Sequence, residues 1–135
     1  MATGTLGSTA RDYPTRESAI VFTLNYNQPF GAGVSVKVGT VPAGAALLRC
    51  YTVTGTAFNS STTNNISVGS AASGAQIVAA AAIGAVGINT QTIIAAQAGP
   101  LAADTPIWLT GTFAAAVPTA GQALFVLEWA NPGGQ

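Results

Sequence analysis

Few side chains in this 135-residue sequence could carry acid–base chemistry. Histidine is absent, and the four carboxylates are Asp12, Glu17, Asp104 and Glu128. General acid–base catalysis most often uses histidine, or a carboxylate whose pKa is shifted by a close partner. A paired-carboxylate site of the kind that glycosidases use would have to be assembled here by long-range folding. The sequence therefore predicts that the protein is not an enzyme.

Two of the carboxylates have simple structural interpretations. Asp104 precedes a predicted strand, where its side chain is expected to accept hydrogen bonds from the backbone of the turn at Thr105. Glu128 lies inside the last predicted strand, where it is expected to face solvent or to pair with an arginine or a lysine.

The only cysteine, Cys50, has no partner for an intramolecular disulfide and no histidine to activate it as a nucleophile. Its apolar strand context predicts a small buried side chain. One cysteine without histidine cannot complete a zinc site, and no loop has the alternating Asp/Asn spacing of a calcium site. The glycines of segments 30–33 and 84–87 do not extend to a dinucleotide or phosphate-binding motif. No metal and no cofactor are predicted.

Charge is scarce along the whole chain. Four basic and four acidic residues give a net charge of zero and form 6% of the sequence, whereas soluble domains average about 25%. A chain without net charge does not gather phosphates, so neither nucleic acid nor a membrane is an expected partner. Residues 77–86, the most apolar stretch, are too few to span a bilayer, and residues 1–18 lack the pattern of a secretory signal. A neutral surface favours packing against other subunits.

Charge and periodicity divide the chain into three parts. Residues 1–18 lack periodicity and carry Arg11, Asp12, Arg16 and Glu17, which are half of all the charges. They are predicted to form an extended N-terminal arm. Residues 19–130 have the apolar alternation of a single β-sandwich domain, and residues 131–135 are expected to form a frayed tail.

Short alternating segments predict an all-β fold. Strands are predicted at residues 19–26, 34–39, 46–54, 66–68, 90–95, 107–113 and 122–130. Residues 76–82 are interpreted as a single helical turn or an irregular wall segment, because alanine favours helix and the flanking glycines oppose it. Seven or eight strands without a long amphipathic helix predict an antiparallel β-sandwich or a small barrel. A jelly roll is the first choice and a seven-strand immunoglobulin-like sandwich is the alternative, with the strand order left open.

The two tryptophans take different positions in their predicted strands. Trp129 is in phase with Phe125 and Leu127 and is assigned to the core, whereas Trp108 is opposite Ile107 and Leu109. An outward tryptophan offers a partner a flat apolar surface with a polar N–H group. Trp108 is therefore a candidate contact residue.

Four segments of strands and turns carry a resemblance to a known family. They read VSVKVGTVPAGA at residues 34–45, ISVGS at 66–70, GPLAADTPIWLT at 99–110 and TAG at 119–121. With these segments the chain resembles the small decoration, or cement, proteins that tailed bacteriophages attach to the outside of their capsids, particularly the jelly-roll type. The resemblance extends over most of residues 19–130 and includes no catalytic motif.

This resemblance implies a structural virion protein, made in the host cytoplasm and bound in many copies to the capsid exterior. Its expected partners are the major capsid protein and neighbouring copies of itself in a dimer or trimer. Its expected role is to stabilise the shell by bridging capsid subunits, with the arm as a docking segment. The candidate contacts are Arg11, Asp12, Tyr13, Pro14, Arg16, Glu17 and Trp108.

Two other functions fit the same composition. A phage tail- or fibre-associated β module would share the abundance of Thr, Ala and Gly, and would differ in its copy number per particle. A carbohydrate-binding β-sandwich could use Trp108 and Tyr51 as stacking platforms.

Overall fold

The computed structural model of the chain describes residues 17–27, 35–60, 62–97, 99–114 and 118–131. Within these ranges the chain forms eight strands and one short 3-10 helix. The strands are β1 (Glu17–Asn25), β2 (Ser35–Val41), β3 (Ala46–Thr56), β4 (Thr63–Gly69), β5 (Val78–Ala82), β6 (Gly87–Gln91), β7 (Thr105–Ala114) and β8 (Gln122–Ala130), and the 3-10 helix is Ala95–Gln97.

The strands form two antiparallel four-stranded sheets. The first sheet has the order β1-β8-β3-β6, and the second has the order β2-β7-β4-β5. Among the described strands, only β4 and β5 follow one another within a sheet, and every other connection crosses to the opposite sheet. An eight-stranded double sheet with this order is a jelly roll. The predicted jelly roll is therefore confirmed, and the seven-strand alternative is wrong.

The core lies between the two sheets and contains the inward-facing apolar side chains of both. In β8 every second residue from Ala123 to Trp129 points inward, as predicted, and each of these is at most 7% exposed. The rings of Phe58 and Phe113 stack with their centroids 5.7 Å apart. Full burial of one large apolar side chain stabilises the folded state by about 1.5–3 kcal/mol. The inward-facing side chains of the alternating strands therefore hold the two sheets together.

Three elements differ from the sequence-based expectation. β1 begins at Glu17, two residues before the predicted start of the β domain. Residues 78–82 form strand β5 and not a helical turn, because pairing with β4 satisfies their backbone groups and outweighs the helix preference of alanine. The strand predicted at residues 90–95 lies earlier, at Gly87–Gln91, and is followed by the 3-10 helix.

Asn131 connects the end of the sandwich to its beginning. Its Nδ2 donates a hydrogen bond to Ser18 Oγ (2.8 Å), and its Oδ1 accepts one from Trp129 Nε1 (3.0 Å). Because β1 and β8 are neighbours in the first sheet, the Asn131 side chain links the start of β1 to the end of β8. We call this pair of hydrogen bonds the Asn131 clip. At Asn131 the structure thus differs from the expected frayed tail, and residues 132–135 lie outside the described ranges.

Candidate functional site

Among the described residues, the side chains that could carry chemistry do not gather at one site. Asp104 Oδ1 accepts a hydrogen bond from the backbone N–H of Ala43 (2.9 Å), in the turn between β2 and β3. The predicted partner, the turn backbone at Thr105, is wrong, because the carboxylate of Asp104 binds the backbone of Ala43 instead. The Thr105 hydroxyl donates to the carbonyl oxygen of Ala103 (2.9 Å). Asp104 therefore holds together two loops that are 61 residues apart in the sequence.

Glu128 pairs with an arginine, as predicted. Its Oε1 accepts a hydrogen bond from Arg49 Nε, and its Oε2 accepts one from the Tyr51 hydroxyl (3.2 Å). The hydrogen bond from Arg49 to Glu128 and the charge of that carboxylate raise the pKa of Arg49. Burial, followed by the charge of Glu128, raises the pKa of Tyr51. The paired charges of Arg49 and Glu128 thus offset one another at this position.

Cys50 is buried in the core, as predicted. Desolvation raises the pKa of its thiol to about 12, so the thiolate that a nucleophile or a metal ligand requires does not form near neutral pH. Across the described residues, no three side chains of His, Cys, Asp or Glu form a group that could hold a metal ion. Within the same ranges, no helix has the length and apolar character needed to cross a membrane.

The outer face of the first sheet carries exposed apolar side chains from all four strands. We call this surface the apolar face, and its residues are Val21, Tyr51, Val53, Ile88, Leu124 and Val126. In one row across the sheet, Leu124 lies opposite Val53, and Val53 lies opposite Ile88. Their exposed fractions are 38%, 38% and 71%. An antiparallel sheet that faces water usually has polar residues at such outward positions.

A second row of the apolar face is packed more closely. Val21 of β1 and Tyr51 of β3 flank Val126 of β8 on its two sides. Val126 points away from the core cluster, yet it is only 6% exposed, whereas Val21 is 57% exposed. Val126 is therefore covered by neighbouring side chains in the isolated chain, while the residues around it stay more exposed.

The apolar face is comparable in size to the contact patches of soluble proteins. Two outward rows across four strands give roughly 19 Å by 14 Å, or about 270 Å², close to the size of the largest and often functional apolar patches, with threonine at two of the eight positions. Two depressions of about 330 and 270 Å³ lie on it. The first is lined by Arg49, Tyr51, Ile88 and Thr90.

Charges on this side of the described chain are confined to one end of the sheet. Glu17 begins β1 there, and the next row contains the paired Arg49 and Glu128. Glu17 also contributes to the raised pKa of Arg49. The apolar face is thus uncharged over most of its length and has a small polar border at the end where β1 begins.

Periodicity alone does not reveal the apolar face, because an alternating strand is interpreted as having one buried side and one polar side. The signal that marks this surface is the presence of apolar residues on both sides of one strand. In β8, Leu124 and Val126 alternate with the core residues Phe125 and Leu127. A strand of this composition has one apolar side in the core and a second apolar side on the outer face of the sheet.

Of the contact residues suggested by the sequence, the structure describes Glu17 and Trp108, which lie in different sheets. Trp108 is half-buried on the outer face of the second sheet, opposite Lys37 and Gly69. Tyr51 lies on the outer face of the first sheet, so Trp108 and Tyr51 do not form one stacking platform for a sugar. Glu17 is exposed at the start of β1. The other candidates, Arg11, Asp12, Tyr13, Pro14 and Arg16, lie outside the described residues.

Comparison with known proteins finds similarity in fold and none in sequence. No protein-family model matches the chain, and no curated protein matches it. A chain of the cyanophage Pam1 capsid asymmetric unit has a TM-score of 0.64 and 15% identity, covering 84% of this chain and 84% of that chain. A chain of the acidic stable capsid of Helicobacter pylori bacteriophage KHP30 has a TM-score of 0.64 and 10% identity, covering 88% and 90%.

A chain of the capsid of Ralstonia phage GP4 has a TM-score of 0.58 and 17% identity, covering 84% of this chain and 82% of that chain. At identities this low the likeness concerns the fold alone. The class that the structure defines is a jelly roll whose first sheet has apolar side chains over much of its outer face and charges at one end of it. Its fold is similar to that of chains found in three phage capsids.

Proposed function

We propose that this chain is a structural virion protein that binds the outer surface of an assembled phage capsid in many copies. It stabilises the shell by bridging neighbouring capsid subunits, and its role involves no enzymatic step. The observation that carries this proposal is the shared fold with chains of three phage capsids, over 84–88% of this chain and 82–90% of theirs.

The coverage of the matched chains favours a separate capsid component. More than four fifths of each matched chain aligns with this one. Those chains therefore have lengths similar to that of this chain. A jelly roll of this size is thus present in those particles as a chain of its own. By analogy, this chain is a small capsid component in this proposal.

Charge favours a place outside the shell. A surface that faces packaged nucleic acid gains affinity from lysine and arginine side chains that neutralise phosphates. This chain has four basic and four acidic residues, and one of the basic residues, Arg49, is paired with Glu128. Contacts with other protein surfaces, which do not require charge, suit this composition better.

The apolar face is the best surface for the capsid contact. A partner can cover its exposed side chains without removing an unpaired charge from water. In many interfaces the desolvation free energy of such a charge opposes binding. At about 270 Å² the face is smaller than the roughly 800 Å² per partner of a typical stable interface. The arm contacts suggested by the sequence, Arg11, Asp12, Tyr13, Pro14, Arg16 and Glu17, supply the remaining area in this proposal.

Stabilisation of the shell follows from linkage. A protein that binds the assembled shell but not separate subunits stabilises the shell by RT ln(1 + [L]/Kd), or about 4 kcal/mol per site when its concentration is a thousand times Kd. Repetition over the lattice multiplies this term, and contacts between neighbouring copies add avidity.

The direct test uses capsids of the phage that encodes this chain, assembled without it. Purified chain is mixed with the capsids, and the bound fraction is measured by co-sedimentation. The double variant Val53→Lys/Ile88→Lys places two charges on the apolar face and is expected to bind about tenfold or more weakly. Thr112→Lys is the matched control, because Thr112 is exposed on the outer face of the second sheet.

Two results would count against this function. If the unmodified chain does not sediment with the capsids, the capsid-binding function is wrong. If Thr112→Lys weakens binding as much as the double variant, the apolar face is not the contact surface.

A further inference from the structure

The two sheets leave an open groove on one side of the sandwich. Strands β5 and β6 are edge strands on the same side, and each is hydrogen-bonded to a single neighbouring strand. A groove of about 480 Å³ runs between them and is lined by residues 78–82 and 88–92. In β5, Ala79, Ala80 and Ala82 are exposed, and their small side chains leave the strand backbone accessible.

This edge of the sandwich lacks the features that protect most exposed strands. Neither β5 nor β6 contains a charged residue or a proline. The opposite edge of the sandwich has Glu17 in β1 and Lys37 in β2. Natural sheets usually blunt an open edge with charges, prolines or a covering segment. An uncharged and open edge is suited to receive an added strand from another chain.

Of the two edge strands, β5 is the more available. In β6, the carbonyl oxygen of Asn89 already accepts a hydrogen bond from Gln91 Nε2 (2.9 Å), and Asn89 Nδ2 donates to the carbonyl oxygen of Ala85 (3.0 Å). Among the described residues, no side chain forms a hydrogen bond with the main chain of Val78–Ala82. The groups on the free edge of β5 are thus open to a partner strand.

We infer that β5 binds residues 2–10 of a neighbouring copy of this chain as an added strand. This segment, ATGTLGSTA, has no charge and no proline, so each residue can pair through its backbone N–H and C=O groups. Except for Leu6, its side chains are small and fit a groove lined by alanines. The first charge, Arg11, and the first proline, Pro14, follow directly after it. The pairing rests on the proposed function, because capsid binding places neighbouring copies side by side.

The reach of the chain favours a neighbouring copy over the same molecule. Glu17 begins β1, which is at the edge of the first sheet farthest from β6. Those two edges are about 14 Å apart, and β5 lies about another 10 Å away in the opposite sheet. Residues 11–16 link residue 10 to Glu17 over at most about 24 Å when fully extended, and a strand added to β5 lies about 5 Å beyond β5 itself. A path over the surface to the molecule's own β5 is longer than this, whereas a copy placed against the β1 edge brings its β5 within reach.

A contact of this kind joins two different edges of the sandwich. The arm leaves beside β1 in one copy and pairs with β5 in the next, so the contact is heterologous and repeats from head to tail. Such a series closes when the rotation between copies permits it, and the smallest closed arrangement is a dimer in which the two copies exchange arms.

The test uses two single-cysteine variants that are mixed before cross-linking. Thr5→Cys places a thiol in the arm of one population, and Ala80→Cys places a thiol on exposed β5 in the other. A short bismaleimide joins the two thiols only when they belong to different molecules in contact. The native Cys50 is buried, and the unmodified chain serves as the blank. The control mixes Thr5→Cys with Thr112→Cys, whose thiol is on the outer face of the second sheet.

The expected result is a cross-linked heterodimer that is about tenfold more abundant for the Ala80→Cys mixture than for the control mixture, because pairing raises the effective concentration of the two thiols. The experiment is run on capsids and in concentrated solution, with capsid binding measured in the same samples. Capsid binding without the preferred cross-link overturns the strand pairing and leaves the proposed function standing. The preferred cross-link in solution without capsid binding supports the pairing and overturns the proposed function.

Discussion

Gly121 lies against the ring of Phe58 so closely that a Cβ atom added to the glycine would be 2.3 Å from Phe58 Cδ2. The backbone of Gly121 has a φ of 143°, a region that side-chain-bearing residues rarely adopt. The ring of Phe58 cannot move away freely, because it stacks on Phe113 in the core. The turn before β8 therefore requires glycine at position 121, because no side chain fits there.

Gly121→Ala is expected to lower the free energy of unfolding by about 2–4 kcal/mol, through backbone strain and displacement of the Phe58 ring. Gly55→Ala is the matched control, because a Cβ at Gly55 meets no atom within 4 Å. That control should change the stability by no more than about 0.5 kcal/mol. Urea unfolding of both variants measures the difference, and equal stabilities would show that the turn tolerates a side chain.

The Asn131 clip is expected to stabilise the junction of the first and last strands. Asn131→Ala removes the hydrogen bonds to Ser18 and Trp129 and should lower the free energy of unfolding by about 1–2 kcal/mol. Asn27→Ala, at an exposed position in the turn after β1, is the control and should have little effect. If the two variants unfolded at the same urea concentration, the hydrogen bonds of Asn131 would not stabilise the junction of β1 and β8.

Cys50 predicts a specific dependence of stability on pH. The folded thiol has a pKa of about 12, against 9.0 for an exposed thiol, so the unfolded chain releases this proton first as the pH rises. Stability should therefore be independent of this group below pH 9 and fall by up to about 1.4 kcal/mol per pH unit between pH 9 and 12. In Cys50→Ala this contribution is absent.

Urea unfolding of the two proteins at pH 8, 9 and 10 measures the Cys50 contribution as a difference in slope. A thiol reagent at pH 8 provides a second reading, because the native protein should react much more slowly than the unfolded chain. Rapid labelling of the native protein would show that Cys50 is accessible.

Replacement of the central side chains of the apolar face should leave the fold intact. Val53→Thr and Ile88→Thr together keep β-branched residues in β3 and β6, and the free energy of unfolding is expected to change by no more than about 1 kcal/mol. Binding of a hydrophobic fluorescent dye to the native protein should fall. Val86→Thr is the control, because Val86 is 66% exposed but lies outside the apolar face. An equal loss of dye binding in the control would indicate scattered apolar residues and not one surface.

The fold was predictable from sequence where burial is periodic along one strand. The alternation that ends at Trp129 identified both β8 and its core residues, and turns rich in glycine and proline separated enough strands to indicate a jelly roll. In contrast, the alanines of β5 have no periodicity, and only pairing with β4 makes them a strand.

The candidate site was less predictable, because it depends on register across the sheet. Val53 and Ile88 are 35 positions apart in the sequence, and only the pairing of β3 with β6 places them opposite one another. The partner of Asp104 is likewise 61 residues away, at Ala43. Local patterns report which side of a strand is buried, and they do not report which outward residues from different strands become neighbours.

The central claim, that this chain coats the outside of a phage capsid, is tested most directly by a cryo-EM map of the particle whose genome encodes it. The proposed function predicts jelly-roll density at repeated positions on the capsid exterior, over the junctions between shell subunits. Absence of that density from the capsid exterior, or its presence only at the tail, would contradict the account.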